Sequence, residues 1–119
     1  MTKNTVSALR TVNLELGKPT VEQALKKLNQ AVFSAKASGA VVLKLIHGYG
    51  SSGKGGVIRL AILEDLEQKK TEGVIKEYVP GDGFSPFSAA GRKALAVMPE
   101  LSKDRDYARG NRGITLVIF

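Results

Sequence analysis

The fold is decided by residues 43–62, LKLIHGYGSSGKGGVIRLAI. This stretch begins with apolar residues that lead to His47, which is the only histidine of the chain, and it ends with an apolar helical pattern. Five of the 13 glycines of the chain lie between these two parts. Glycine is favoured where a backbone turns tightly or approaches another group closely. The stretch therefore predicts a strand, a tight turn and a helix, with a turn suited to a phosphate group.

Strand and helix patterns alternate on both sides of this stretch. Thr20 and Gln23 form a capping-box pattern at the start of a first helix, which Gly39 ends, and a second helix runs from near Gly56 to near Gly73. Strands are predicted at residues 10–16, 41–46, 74–79 and 113–119. Right-handed crossovers then place both helices on one face of a mostly parallel sheet, with the last strand antiparallel to a neighbour. This order, β-α-β-α-β-(α)-β, predicts a two-layer α/β sandwich with a four-stranded mixed sheet.

The predicted third and fourth strands are separated by a long connection, residues 81–112. A short helix is expected at residues 88–98 with Ser88 as its cap, followed by a charged loop at residues 102–113. We expect the second face of the sheet to be open, and Lys44 and Glu15, on alternating strand positions, fit a partly polar open face. Residues 1–119 are expected to form a single domain with a flexible N-terminus at residues 1–9.

Composition narrows the possible functions. The chain has 119 residues, no cysteine, and a net charge of +7 from 18 Lys and Arg against 11 Asp and Glu. Disulfides, thiolate metal sites and multi-histidine metal sites are therefore excluded within one chain. We expect a cytoplasmic protein with no membrane span and no cofactor, and its positive charge favours a polyanionic partner such as RNA or DNA. The sequence leaves the oligomeric state open.

Three interpretations of the glycine-rich turn follow from its residues. Gly48 to Lys54 fits the nucleotide-binding pattern G-x-x-x-x-G-K, but Gly55 stands where a Mg²⁺-binding Ser or Thr is needed. A nucleotide-binding module is therefore the alternative and not the leading interpretation. The leading one is a general phosphate site built from glycine amides and a helix N-terminus, with Lys54 and Arg59 as counter-charges. The third is a tight turn that binds nothing.

The same residues resemble a known family. LKLIHGYGSSGKGGVIR resembles the H-G-x-G signature of the small MutS-related (Smr) domain, with His47, Gly48 and Gly50 in the signature positions. TVEQALKKL and NRGITLVIF are similar to the first helix and the last strand of that domain. The resemblance implies a β-α-β-α-β-β fold like the C-terminal domain of bacterial translation initiation factor three. It also implies binding of RNA or DNA, with the ribosome as one partner to consider, and endonuclease activity in several members.

The chain departs from the family at a second motif. Many Smr domains carry L-D-x-H on the first strand, whereas this chain has Val12-Asn13-Leu14-Glu15. We expect His47 to be the proton-transfer group of any weak, metal-independent endonuclease, with Glu15 orienting its ring. The alternatives are a structural histidine with a locked tautomer and a solvated glutamate. Because Asn13 replaces the acid, nucleic-acid binding is better supported than cleavage.

The residues expected to bind phosphate or nucleic acid are glycines, a serine and cations of the turn and of the charged loop. Tyr107 adds an aromatic face to that loop, which could alternatively be merely solvated. The expected set is Gly48, Gly50, Ser52, Gly53, Lys54, Gly55, Arg59, Lys44, Arg105, Arg109 and Arg112.

Overall fold

The computed structural model describes residues 8–49 and 55–119 of the chain. The strands are β1 (Leu9–Asn13), β2 (Val42–Ile46), β3 (Glu77–Pro80) and β4 (Ile114–Ile118). The α-helices are α1 (Val21–Ala37), α2 (Gly55–Thr71) and α3 (Ala89–Val97), and short 3₁₀-helices lie at Gly81–Gly83 and Pro99–Lys103. The α/β class and the predicted element order are therefore confirmed.

The four strands form one mixed sheet in the order β1-β2-β4-β3. β1 is parallel to β2, and β4 lies antiparallel between β2 and β3. The carboxyl ends of β1, β2 and β3 therefore lie at one edge of the sheet, where the crossover loops meet. We call it the carboxyl edge. It is where α/β proteins place their binding sites.

Both long helices lie on the first face of the sheet, and local sequence signals mark where they begin or end. Thr20 and Gln23 form the predicted capping box at the start of α1. Gly39 follows α1 and Gly73 follows α2, each with positive φ and the paired backbone hydrogen bonds of a Schellman motif. The apolar stripes of both helices pack on β2 and β4, around Leu28, Leu43, Leu45, Ile62, Leu66 and Val117.

The second face of the sheet is covered, contrary to the expectation of an open, partly polar face. Residues 81–112, which we call the covering segment, pack there through α3 and the second 3₁₀-helix. Their core contains Phe84, Ala94, Met98 and Leu101 against Val42, Val79 and Leu116. α3 begins at the predicted cap, since the Ser88 side chain accepts a hydrogen bond from the Gly91 amide.

Two strand ends differ from the sequence prediction. β1 ends at Asn13 and not at residue 16, because the Asn13 side chain accepts the Glu15 amide at 2.9 Å and turns the chain out of the sheet. Leu16 is consequently exposed. β3 begins at Glu77 and not at residue 74. The reason is that the amides of Gly73 and Val74 donate to carbonyls of the last turn of α2 and so cap that helix.

Candidate nucleic-acid interface

The carboxyl edge carries the H-G turn, His47 to Tyr49, directly after β2. The backbone amides of His47 and Gly48 both donate to the Gly113 carbonyl, at 3.0 and 3.1 Å. Gly48 has a φ of +72°, which an L-residue adopts only at a cost. The turn is thus fixed by Gly113, the residue directly before β4, and by a backbone conformation that suits glycine.

His47 is enclosed in the structure, with 1% of its surface exposed. Its Nδ1 lies 2.7 Å from the Gly48 carbonyl oxygen, and its Nε2 lies 2.8 Å from the Thr115 hydroxyl. A carbonyl can only accept, so Nδ1 carries the proton and Nε2 accepts from Thr115. Both ring nitrogens are therefore engaged, and any proton transfer to a substrate requires that one of these bonds be exchanged.

The surroundings of His47 keep its ring neutral. Burial lowers the pKa of His47 below its ordinary value of 6.5, and the positive charge of Arg59 lowers it further. The hydrogen bond to the Gly48 carbonyl and the charge of Glu15 act in the opposite direction but do not overcome burial. A neutral ring with its proton on Nδ1 is compatible with both hydrogen bonds, since the Thr115 hydroxyl can donate to Nε2.

Glu15 lies at the same edge, because β1 is parallel to β2 and ends beside it. A Cβ added to Gly48 would stand 2.4 Å from a Glu15 carboxylate oxygen, so this carboxylate lies directly over the turn. Glu15 is exposed and acts on His47 through its charge. The predicted convergence of Glu15 and His47 at one edge is confirmed, while their catalytic roles remain predictions.

Arg59 and Arg112 supply positive charge near the turn. Arg59 lies on the first turns of α2, and its Nε donates to the Arg112 carbonyl at 3.2 Å. Arg112 immediately precedes Gly113, which carries the carbonyl that fixes the turn. The structure thus brings together His47, Gly48, Glu15, Arg59 and Arg112 from the set expected from the sequence.

The prediction that Lys44 contacts a phosphate is wrong. Lys44 is 6% exposed, and its Nζ lies 2.8 Å from Asp104 and 2.6 Å from Asp106. Burial would lower the pKa of Lys44, but the two carboxylates overcome that effect and raise it. A buried ammonium group with two carboxylate partners is a clamp for the covering segment and is not available to a ligand.

The charged loop carries Arg105, Tyr107, Arg109 and Arg112, which were expected to contact nucleic acid. Arg105 is exposed between Asp104 and Asp106, and its positive charge acts on Asp106. Arg109 is exposed in the turn that follows, and its amide donates to the Asp106 carbonyl. Tyr107 packs edge-on against Phe84, with ring centres 5.4 Å apart, and is partly buried. Arg112 is placed next to the turn through its backbone, because it directly precedes Gly113.

Gly50, Ser52, Gly53 and Lys54 lie outside the described residues, so their proposed role in phosphate binding stays a prediction. Gly55 is the first residue of α2.

Three residues of the site escaped the sequence analysis: Thr115, Gly113 and Asn111. Thr115 is the polar residue of β4, whose other residues are Ile114, Leu116, Val117 and Ile118. It is buried, and a buried hydroxyl needs a hydrogen-bond partner. That rule predicts a hydrogen-bond partner for Thr115, and the structure shows that the partner is His47. Asn111 links the Gly113 amide, at 2.9 Å, to Asp106, at 2.8 Å, which no sequence pattern announces.

Metal and membrane signals are absent from the parts of the chain that the structure describes. Within residues 8–49 and 55–119, no three acidic or histidine side chains converge as a metal site would require. No helix in these ranges has the length and apolar character needed to cross a membrane.

Comparisons with known proteins agree with this architecture. The family model of the Smr domain matches residues 14–84, which is more than half of the chain. The crystal structure of the Smr domain of Thermus thermophilus MutS2 is similar to this chain with 26% sequence identity and a TM-score of 0.56. That match covers 92% of this chain and 95% of the Thermus domain, whereas no curated protein matches the chain. The nucleotide-binding alternative is not favoured by these matches, and the chain belongs to the Smr domain family.

Proposed function

We propose that this chain binds RNA or DNA at the carboxyl edge of its sheet, with the H-G turn facing the sugar-phosphate backbone. The observation that carries the proposal is the fixed turn itself. A buried neutral His47 and the Gly113 carbonyl hold Gly48 in a left-handed conformation at the entrance to α2. The His47 and Gly48 amides are already bonded to Gly113. The anion would therefore be bound by the free amides at the N-terminus of α2, where Gly56 lies beside the Tyr49 carbonyl.

Charge supports the same conclusion. Arg59 and Arg112 lie at this edge, and the chain as a whole carries a net charge of +7. Contacts to phosphates give affinity without reading sequence, so we expect broad binding with a strong dependence on salt. The Smr family, to which the chain belongs, is nucleic-acid-binding in character, which makes this partner class the natural one.

Cleavage is a weaker expectation than binding. The two nitrogens of His47 are both bonded, and Glu15 lies over Gly48 without a hydrogen bond to the ring among those that the structure describes. We therefore assign His47 the role of a positioning residue for the turn. Any cleavage would proceed only after the bond to Thr115 or to Gly48 is exchanged.

The experiment is a binding measurement by fluorescence anisotropy with labelled RNA and DNA across a range of salt concentrations. For the wild type, the plot of log affinity against log salt should be linear, with a slope of about −0.7 to −0.9 for each phosphate neutralised. Arg59→Ala and Arg112→Ala should each weaken binding and make that slope shallower by about one phosphate contact.

Arg92→Ala is the matched control, since Arg92 is an exposed arginine of α3 on the covering segment. It should leave both affinity and slope close to the wild-type values. An affinity that does not change with salt, or an equal loss in all three variants, would contradict the proposal.

A further inference from the structure

Tyr49 is a large exposed side chain at a place where the backbone is fixed. It has 59% of its surface exposed, although it belongs to the H-G turn. A Cβ added to Gly113 would lie 3.3 Å from Tyr49 Cδ1 and 3.5 Å from Gly48 Cα. The ring therefore packs against the Gly113 backbone, and glycine at this position leaves it room.

Gly113, against which the Tyr49 ring packs, is fixed by several hydrogen bonds. The Gly113 carbonyl accepts the amides of His47 and Gly48, and its own amide donates to the Asn111 side chain at 2.9 Å. Asn111 is bonded in turn to Asp106, one of the two partners of the buried Lys44. A ring placed on such a support loses little conformational freedom when a ligand stacks on it.

The charges beside Tyr49 indicate which ligand fits. The Arg112 carbonyl, which Arg59 binds, belongs to the residue next to Gly113, so two cationic side chains originate beside the ring support. An exposed aromatic ring next to arginines matches a nucleotide, whose base stacks while its phosphate is neutralised. Bases in a duplex are already stacked on one another and offer no free face.

We propose that Tyr49 is a stacking platform for an unpaired nucleobase, and that the preferred ligand is therefore single-stranded nucleic acid. The proposal rests on the proposed function and adds the class of ligand to it. Arg59 and Arg112 hold the backbone, and Tyr49 holds one base next to it. Affinity for single strands thus has a stacking contribution that affinity for duplexes lacks.

The test compares poly(U) RNA, which is unstructured, with duplex RNA of equal length. Tyr49→Ala should weaken binding of poly(U) by about 5- to 150-fold, the usual range for one stacked base, and should change duplex binding far less. Its salt slope should equal that of the wild type, because no phosphate contact is removed. Tyr49→Phe should bind like the wild type, and Tyr49→Leu should bind like Tyr49→Ala.

Phe33 provides the matched control, since it is an aromatic residue of α1 that is 77% exposed. Phe33→Ala should leave poly(U) binding unchanged. A direct reporter is also possible, because the chain has no tryptophan. In Tyr49→Trp, the emission of the single indole should be quenched by poly(U) and much less by duplex RNA.

Two results would overturn the inference while leaving the proposed function intact. One is wild-type affinity of Tyr49→Ala for poly(U), and the other is an equal loss for poly(U) and duplex RNA. If the wild type binds neither RNA nor DNA, the proposed function fails and the inference fails with it. If Phe33→Ala weakens poly(U) binding as much as Tyr49→Ala does, the ligand lies on α1 and the assignment of Tyr49 is wrong.

Discussion

The two faces of the sheet are covered by segments of different kinds. On the first face, α1 and α2 pack through regular apolar stripes, and their ends carry local capping signals. On the second face, the covering segment packs through close backbone contacts and a buried cluster of Lys44 with two aspartates. A Cβ on Gly91 would lie 2.1 Å from the Ser85 carbonyl oxygen, which shows how tightly this segment is folded on itself.

This difference between the two faces shows that a lysine or arginine close to a nucleic-acid site does not necessarily contact a phosphate. Lys44 and Arg59 were both expected to bind phosphate, yet one is enclosed with two carboxylates and the other lies near the turn. Lys44 has a structural role because the covering segment brings its own negative charges to that face. The predictions below test this contrast between the clamp on the second face and the turn at the carboxyl edge.

The largest loss in the free energy of unfolding is expected for Lys44→Met. The substitution leaves Asp104 and Asp106 largely buried without their counter-ion, which typically costs about 3–5 kcal/mol in the free energy of unfolding. Urea denaturation measures this cost. The slope of nucleic-acid binding against salt should stay at the wild-type value, since Lys44 contacts no phosphate in our account.

Lys93→Met is the control for that substitution. Lys93 pairs with Glu77 at 3.4 Å but keeps 64% of its side chain exposed, so its loss should cost no more than about 1 kcal/mol. Equal costs for the two variants would mean that the buried clamp does not hold the covering segment in place.

A smaller effect is expected for Gly48→Ala, which tests the turn. A φ of +72° costs an L-residue about 1–2 kcal/mol, and the added methyl group also displaces the Glu15 carboxylate. Gly39→Ala is the matched variant, because Gly39 has a φ of +82° but nothing within 4 Å of its Cβ position. Both variants should lose similar stability, since the Glu15 side chain can swing aside.

Binding should separate these two glycine variants. Gly48→Ala should weaken nucleic-acid binding, whereas Gly39→Ala, at the end of α1, should bind like the wild type under conditions where both are folded. Equal affinities in anisotropy would show that the shape of the H-G turn does not matter for the ligand.

The smallest expected effect is the change in stability with pH that results from protonation of the buried His47. Its pKa lies near 6.5 in the unfolded chain and lower in the folded chain, because burial disfavours the charged ring. In the interval between the two values the unfolded state binds more protons, so stability is full above pH 6.5 and falls as the pH decreases through that interval. Burial would raise the pKa of Glu77 and of Asp106, but their hydrogen bonds and the neighbouring positive charges overcome burial and lower it, so these groups act in a more acidic range.

Urea denaturation from pH 8 to pH 5 checks this effect. Wild type should lose stability below about pH 6.5, while His47→Gln, which lacks a titrating ring, should show a flatter profile in the same range. Parallel profiles would contradict a neutral, enclosed imidazole.

Much of the fold was predictable because its signals are local. Thr20 with Gln23, and the glycines that follow α1 and α2, announce helix ends within a few residues, and the strands alternate or are uniformly apolar. The convergence of Glu15 and His47 followed from parallel β1 and β2 alone.

The clamp and the end of β1 could not be predicted in the same way. Lys44 sits at a position that alternation marks as solvent-facing, and its partners are 60 and 62 residues away in the sequence. Only the three-dimensional path of the covering segment brings them together. The expected continuation of β1 to residue 16 failed because one side chain, Asn13, captures the Glu15 amide and turns the chain.

The central claim, that nucleic acid binds at the carboxyl edge around the H-G turn, is tested most directly by NMR. Poly(U) RNA is titrated into ¹⁵N-labelled protein, and the perturbed amide and side-chain signals are mapped on the structure. The account predicts the largest shifts at Gly48, Tyr49, Gly113 and the Nε of Arg59, with none at Phe33 on α1. Large shifts around Phe33 or Lys93, with unchanged signals from Gly48 and Gly113, would contradict it.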